Sequence, residues 1–178
     1  MVSQGISFLS LLVMATCILA APKTYPEVIP GPGLPSLASL NLTSAELYEM
    51  DCHTILSEFN RREETSILEA QFNLNCDGQK CQATDAVACI NYLAKLGSKT
   101  CTMNFNNNLH QALLCTSNSA RILAHQIEPN QVSSCEDVAR GGGKIMDGCT
   151  KFGLVSGQDA AWGNGDYIVD IALEGTDE

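Results

Sequence analysis

The stretch that decides the fold runs from residue 85 to residue 96 and reads Asp85-Ala86-Val87-Ala88-Cys89-Ile90-Asn91-Tyr92-Leu93-Ala94-Lys95-Leu96. Its apolar side chains recur every three or four residues, as in a helix with one buried stripe: Ala86, Cys89, Ile90, Leu93 and Leu96. Thr84 or Asp85 can cap the start, and Gly97 is a typical residue to end a helix. The spacing therefore predicts a helix over residues 85–96 with this stripe in the core.

A second helix is predicted over about residues 134–149. Its core positions follow one another at spacings of three and four residues: Cys135, Val138, Gly142, Ile145 and Cys149. The run Gly141–Gly143 disfavours a helix, because each Gly costs about 1 kcal/mol relative to Ala. We expect a close approach of the helix to a sheet to offset this cost; the alternative is a break or kink at these glycines.

Strands are predicted for much of the remaining chain. Residues 67–76 alternate strictly, and the side chains on their apolar face are Leu68, Ala70, Phe72, Leu74 and Cys76. This pattern predicts a half-buried strand that ends at the turn Asp77-Gly78. Shorter strands are expected at about 100–105, 111–116, 121–127, 152–156 and 167–173.

The N-terminal part of the folded chain carries a capping signal, Thr43-Ser44-Ala45-Glu46, which predicts a helix over about residues 44–59. The connections between the later elements are too short for repeated parallel crossovers. The sequence therefore predicts an α+β fold: a compact disulfide-stabilised sandwich whose mostly antiparallel sheet carries two main helices.

Nine cysteines in 178 residues indicate an oxidising compartment. The apolar run of residues 6–20 is short for a membrane anchor and is typical of a secretory signal peptide cleaved after Ala20. Cleavage removes Cys17 and leaves eight cysteines, which predicts four disulfides of undetermined connectivity: Cys52, Cys76, Cys81, Cys89, Cys101, Cys115, Cys135 and Cys149. No Cys-x-x-Cys pair occurs, so a zinc site is not favoured.

We accordingly divide the chain into a signal peptide at 1–20, a Pro-rich leader at 21–43 and one disulfide-rich α+β domain at 44–178, whose N-terminal helix at 44–60 could be separable. The leader is expected to be extended rather than packed. Its end carries the sequon Asn41-Leu42-Thr43, which predicts a glycan on Asn41. The only dibasic pair, Arg61-Arg62, lies in a polar connector where processing is one hypothesis and simple solvation of a helix end is the alternative.

The net charge of −10 argues against nucleic acid as a partner and against binding to an anionic membrane surface. No second long apolar run follows the signal peptide, so we expect a secreted, extracellular protein without a membrane span.

No catalytic motif is recognisable. His53, His110 and His125 do not stand beside an acid at a known catalytic spacing, and Cys52 next to His53 is better explained by a disulfide. The acidic pair Glu136-Asp137 suits the first turn of a helix better than a glycosidase site. We therefore expect no catalytic residue, no bound metal and no cofactor; a secreted enzyme without a recognisable motif remains an alternative.

Residues 157–166 form the most suggestive loop, since they contain the only Trp. Asn164-Gly165 is typical of a tight turn, and Trp162, Asn164 and Asp166 are predicted to form a binding loop. Two alternatives are that Trp162 folds back onto the sheet and that Asp159 joins Asn164 and Asp166 in a calcium site.

Three groups of residues carry a resemblance to known proteins: Ala83–Leu93 with Gly97 and Cys101, Ser133–Ala139 with Ile145 and Cys149, and Gly163–Val169. They resemble small secreted fungal proteins of the extracellular-protein-two effector family, also called necrosis-inducing factors, and the related killer toxins of smut fungi. The resemblance implies two helices on an antiparallel sheet and a role as effector, necrosis inducer or toxin against competitors. It also implies that the partner is a host or competitor protein or another cell-surface component. The strong acidity of this chain differs from channel-blocking toxins, which often rely on basic residues. The resemblance assigns no active-site residue; a carbohydrate-binding surface protein is a further alternative.

Overall fold

The computed structural model describes residues 23–51, 73–101, 111–126 and 131–175, so the predicted signal peptide lies outside it. Its elements, in chain order, are β1 (Val28–Pro30), α1 (Ser44–Glu49), β2 (Cys81–Gln82), α2 (Ala83–Leu96), β3 (Thr100–Cys101), β4 (Gln111–Ser117), β5 (Ala120–Gln126), β6 (Ser133–Ser134), α3 (Cys135–Cys149), β7 (Leu154–Val155), β8 (Gly157–Ala161) and β9 (Asn164–Leu173).

One antiparallel sheet of five strands, in the order β1-β4-β5-β9-β8, organises the molecule. Helices α2 and α3 pack on one of its faces, and the core between them contains Tyr92, Ile122, Ile145, Tyr167 and Ile171. Two short pairs, β2 with β7 and β3 with β6, lie beside this sheet. The predicted α+β fold class is confirmed. No helix in the described ranges is long and apolar enough to cross a membrane.

Helix α2 confirms the predicted stripe and the ending at Gly97, but not the cap. The N-cap is Gln82, whose side chain makes no capping hydrogen bond. Asp85 lies in the first turn and accepts hydrogen bonds from Asn118 and Ser119 instead, so its carboxylate holds the β4–β5 turn. The prediction of Thr84 or Asp85 as N-cap was wrong because this tertiary contact takes the carboxylate.

Helix α3 is continuous through its glycines, as predicted for a helix that closely approaches a sheet. A Cβ on Gly141 would lie 2.6 Å from the carbonyl oxygen of Ala160 on β8, and one on Gly142 would lie 3.1 Å from Cγ1 of Ile90. Ser134 is the N-cap and accepts a hydrogen bond from the backbone N–H of Asp137. The alternative of a break at the glycines is therefore not observed.

The strand predicted over 67–76 is not present in its described part. Residues 67–72 lie outside the described ranges, and of residues 73–76 only Asn75 pairs, with Gln158 of β8. Leu74 and Cys76 are exposed, whereas the alternation placed them on a buried face. The disulfide from Cys76 to Cys149 holds this segment at the rim of the sheet, where it makes an isolated bridge to β8 and no continuous strand pairing.

The Pro-rich leader is packed where sequence analysis expected an unpacked chain. Val28–Pro30 form edge strand β1, and Val28 is buried in the core. The capping box at Thr43 is confirmed, since Thr43 and Glu46 exchange both expected hydrogen bonds. Helix α1 ends at Glu49, and the remainder of the helix predicted to residue 59 lies largely outside the described residues.

Candidate functional site

Three disulfides fasten the two main helices to their neighbours. Cys89 of α2 bonds Cys115 of β4, Cys101 of β3 bonds Cys135 at the start of α3, and Cys76 bonds Cys149 at the end of α3. Both ends of α3 are thus covalently held. These bridges confirm the predicted disulfide-stabilised scaffold.

Cys81 departs from the prediction that all eight cysteines are oxidised. It is a free thiol, 1% exposed, and its sulfur lies 3.4 Å from the carbonyl oxygen of Val155. The other described cysteines are bonded to one another, so none of them is left to pair with it, and Cys52 lies outside the described residues. Burial raises the pKa of the Cys81 thiol to about 12, which keeps it protonated and unreactive at neutral pH.

Trp162 lies in the turn that joins β8 to β9. Gly163 takes the left-handed conformation there, with φ of 71°. The turn was predicted at Asn164-Gly165, and this was wrong by two residues, because both of these residues already belong to β9. The backbone N–H of Trp162 donates to the carbonyl oxygen of Asp137, 3.0 Å away, which ties the turn to the first turn of α3.

Two cations of α3 face the ring of Trp162. Nζ of Lys144 lies 5.0 Å and Cζ of Arg140 lies 5.9 Å from the ring centroid, distances at which cation–π attraction is significant. Each cation also contacts an acid: Lys144 lies 3.9 Å from Asp159 and Arg140 lies 3.4 Å from Asp137. Trp162 keeps 37% of its surface exposed. The ring rests on α3 with part of its surface open to solvent.

Asn164 and Asp166, predicted to share a binding loop with Trp162, support the turn from the start of β9. The Oδ1 atom of Asn164 accepts from the backbone N–H of Asp166 at 3.2 Å, and its Nδ2 atom donates to the carbonyl oxygen of Val132 at 2.9 Å. Asp159 is buried and faces Lys144. Among the residues described, no group of three or more His, Cys, Asp or Glu side chains is placed to hold a metal ion.

Phe152 is a feature that sequence analysis missed. It follows α3 in the tight turn of residues 151–154 and is fully exposed. Phe152 and Gly153 have φ of 55° and 77°, the pattern of a type I′ turn, whose central positions favour Gly, Asn and Asp. Three backbone hydrogen bonds fix the turn: two between Lys151 and Leu154, and one from Ala83 to Gly153. The sequence signal was the Phe-Gly dipeptide directly before Leu154-Val155, whereas a strand had been predicted to include Phe152 over residues 152–156.

The sheet also brings together a His–Asp pair that the sequence did not reveal. Nε2 of His125 on β5 lies 3.2 Å from Oδ2 of Asp170 on β9, and Nε2 of Gln158 on β8 donates to the same oxygen at 3.2 Å. The pair depends on the register in which His125 lies opposite Ile168, two residues from Asp170. In the described part of the chain, no hydroxyl or thiol is hydrogen-bonded to the His125 ring. His53 and His110 lie outside the described residues.

Asn41 is exposed, with φ of 52°, directly after a short 3-10 turn at Ala38–Leu40. The hydroxyl of Thr43, the third residue of the sequon, lies 2.8 Å from Oε2 of Glu46. The glycan on Asn41 remains a prediction, at a position with open access. The Arg61-Arg62 pair lies outside the described residues.

A family model described as a domain of unknown function (DUF8794) matches residues 69–173. Since this match covers more than half of the chain, the chain belongs to that family. Comparison with curated proteins found no match, and neither did comparison with solved structures.

Proposed function

We propose that this member of the DUF8794 family is a secreted, non-enzymatic effector or toxin-like protein that acts by binding a target on a host or competitor cell. Trp162 and Phe152 are the residues that contact the target. The observation that carries this proposal is Phe152, a fully exposed aromatic ring on a tight turn in the left-handed backbone conformation.

Phe152 combines two features that each lower stability. A non-Gly residue in the left-handed conformation costs about 1–2 kcal/mol, and this ring recovers nothing by burial because it is fully exposed. The turn that presents it is held by α2 through the Ala83–Gly153 hydrogen bond, so the ring is displayed from a fixed backbone. A strained residue held in place by its surroundings is a typical sign of function.

Trp162 supplies a second aromatic anchor. Its ring makes cation–π contacts with Lys144 and Arg140 of α3, while part of the side chain stays open to solvent. Its backbone N–H is hydrogen-bonded to the carbonyl oxygen of Asp137. An aromatic side chain ordered before binding loses little conformational entropy when it meets a partner. Trp is also among the residue types that contribute most to protein interfaces.

Three further observations support a secreted, non-enzymatic role. The described residues form three disulfides, as is typical of small proteins from oxidising compartments. The sequence begins with a segment typical of a signal peptide, and its motifs resemble those of secreted fungal effectors. The His125–Asp170 pair has a base and an orienting acid, but no described nucleophile is bonded to the base.

The test applies the purified mature protein to leaf tissue and to growing fungal cells, with ion leakage and growth as the measurements. We expect an effect in one of these assays, and Trp162→Ala and Phe152→Asn should each raise the dose required at least tenfold. Ile29→Thr, which removes an exposed apolar side chain from β1, is the matched control and should retain the wild-type dose. Equal activity of all variants would contradict the assignment of the two aromatic anchors, and no effect in either assay would contradict the effector role.

The two exposed aromatic rings also favour a second candidate, a carbohydrate-binding surface protein, because sugar rings stack on such side chains. Sedimentation with insoluble chitin, β-glucan and cellulose, together with the fluorescence of the only Trp, measures this directly. Binding that is lost in Trp162→Ala and accompanied by no cellular effect would favour the second candidate. Release of soluble sugar that stops in Asp170→Asn would instead indicate an enzyme and overturn both.

A further inference from the structure

Residues 23–51, here called the N-terminal segment, lie outside the match to the family domain, which begins at residue 69. They nevertheless complete the core of the remaining described residues, here called the body. Val28 on β1 and Leu47 on α1 are both buried, at 1% and 0% exposure. Leu34, Leu37, Leu40 and Leu42 pack against the same core. The segment is thus an integral layer of the fold rather than a tail.

The segment binds the body first through the backbone. β1 pairs antiparallel with the outer edge of β4, and the next residue, Gly31, donates its N–H to the carbonyl oxygen of Leu114 at 2.8 Å. A Cβ on Gly31 would lie only 2.0 Å from the carbonyl oxygen of Leu113. Addition of a strand to a free sheet edge is a common mode of peptide recognition.

Side chains of the body then fix the segment by polar contacts. The hydroxyl of Tyr48 donates to Oδ1 of the buried Asp85 at 2.8 Å. The amide of Asn91 donates to the carbonyl oxygens of Leu47 and Met50, which closes the end of α1. The hydroxyl of Tyr92 donates to the carbonyl oxygen of Pro35 at 2.7 Å. These contacts are spread along the segment and define one register.

No disulfide joins the segment to the body within the described ranges. All three bridges connect cysteines of the body to one another, and the segment itself contains no cysteine. We propose that residues 23–51 are a separable strand-and-helix ligand of the body, which stays bound in place after the chain between residues 52 and 72 is cut. The docking surface is the β4 edge together with Asp85, Asn91 and Tyr92.

The experiment uses the full mature chain with the recognition sequence of a site-specific protease inserted after Arg62. After cutting, size-exclusion chromatography should give one peak that contains both fragments under native conditions. In denaturant without reductant the fragments should separate. Dilution of the cut complex then gives the dissociation constant of the segment.

Two variants test the docking contacts. Tyr48→Phe removes the hydrogen bond to the buried Asp85 and should raise the dissociation constant at least tenfold; Gly31→Ala should weaken docking by a clash with the backbone of β4. Tyr25→Phe is the matched control, because the Tyr25 hydroxyl donates to Glu49 of the same segment, and it should leave the dissociation constant unchanged.

Three outcomes would overturn the proposal. Separation of the fragments under native conditions would show that the contacts do not hold the segment. Fragments that separate in denaturant only after reduction would show a covalent tether. A dimer of the uncut chain in which each copy holds the N-terminal segment of the other copy would show that the segment docks on a second copy instead. If Gly31→Ala does not fold, Tyr48→Phe and its control still decide the result.

Discussion

Gly141→Ala should lower the free energy of unfolding, although Ala is favoured over Gly by about 1 kcal/mol in a helix. The new Cβ would lie 2.6 Å from the carbonyl oxygen of Ala160 and 3.1 Å from Cγ2 of Val169. This oxygen belongs to β8, which is paired with β9, so it cannot move without shifting the strand. Overpacking of this kind costs about 1–3 kcal/mol, and a backbone contact belongs to the upper part of that range. The net loss should therefore be about 1–2 kcal/mol.

Gly142→Ala is the matched control on the neighbouring residue of the same helix. Its Cβ would meet Cγ1 and Cδ1 of Ile90 at 3.1 and 3.3 Å, and this side chain can adjust. The gain in helix propensity and the tight contact should nearly cancel, within about 0.5 kcal/mol. Denaturant and thermal unfolding without reductant measure both variants, and Gly141→Ala should lower Tm by about 2–8 °C. A Gly141→Ala protein that is as stable as the wild type or the control would refute the close approach.

Three further predictions concern buried polar groups. Burial raises the pKa of Tyr92 and of the Cys81 thiol to about 12 and raises that of Tyr167 as well, from ordinary values of 10.0 for Tyr and 9.0 for Cys. These groups stay neutral in the folded protein, whereas in the unfolded chain they ionise at a lower pH. Their contribution to the free energy of unfolding is therefore full below about pH 9 and falls as the pH rises toward 12. The tyrosinate absorbance of Tyr92 and Tyr167 should appear together with the loss of circular dichroism, and titration of all four tyrosines in a folded protein would contradict this. Cys81 should not react with a thiol reagent in the native protein and should react after unfolding without reductant; a peptide map with Cys81 in a bridge would disprove it. Asp85→Ala should cost about 3 kcal/mol in the free energy of unfolding, since four hydrogen bonds end on that carboxylate, whereas the exposed Asp77→Ala should change it by less than about 0.5 kcal/mol; equal effects would contradict the burial argument.

The parts of the fold that the sequence predicted are those that depend on local periodicity. α2 and α3 were found because a buried stripe repeats every three or four residues, and Cys89 and Cys135 on those stripes indeed form bridges. β5 and β9 were predicted because each is a short stretch rich in apolar residues that is bounded by turn residues. The close approach of α3 to the sheet at Gly141–Gly143 was also predicted, because a helix that contains three successive glycines needs a compensating contact.

The candidate site was predicted less well because it depends on contacts between distant residues. The His125–Asp170 pair requires the register of β5 on β9, and the cations over Trp162 require the packing of α3 against the β8–β9 turn. The alternation at 67–76 predicted a strand, but a disulfide to the end of α3 places its last residues at the rim. The Pro-rich composition suggested an unpacked leader, because Pro is unfavourable inside a sheet; an edge strand such as β1 tolerates it.

The positions of the two aromatic residues proposed to contact the target follow from helix α3. Disulfides hold α3 at Cys135 and at Cys149, and Gly141 lets its middle approach β8 closely. Trp162 is tied to the first turn of α3, and Phe152 follows shortly after its last residue. A small protein that acts by binding needs rigid display more than a cleft, because rigidity reduces the entropy lost on association. The same helix therefore accounts for the positions of both exposed aromatic residues.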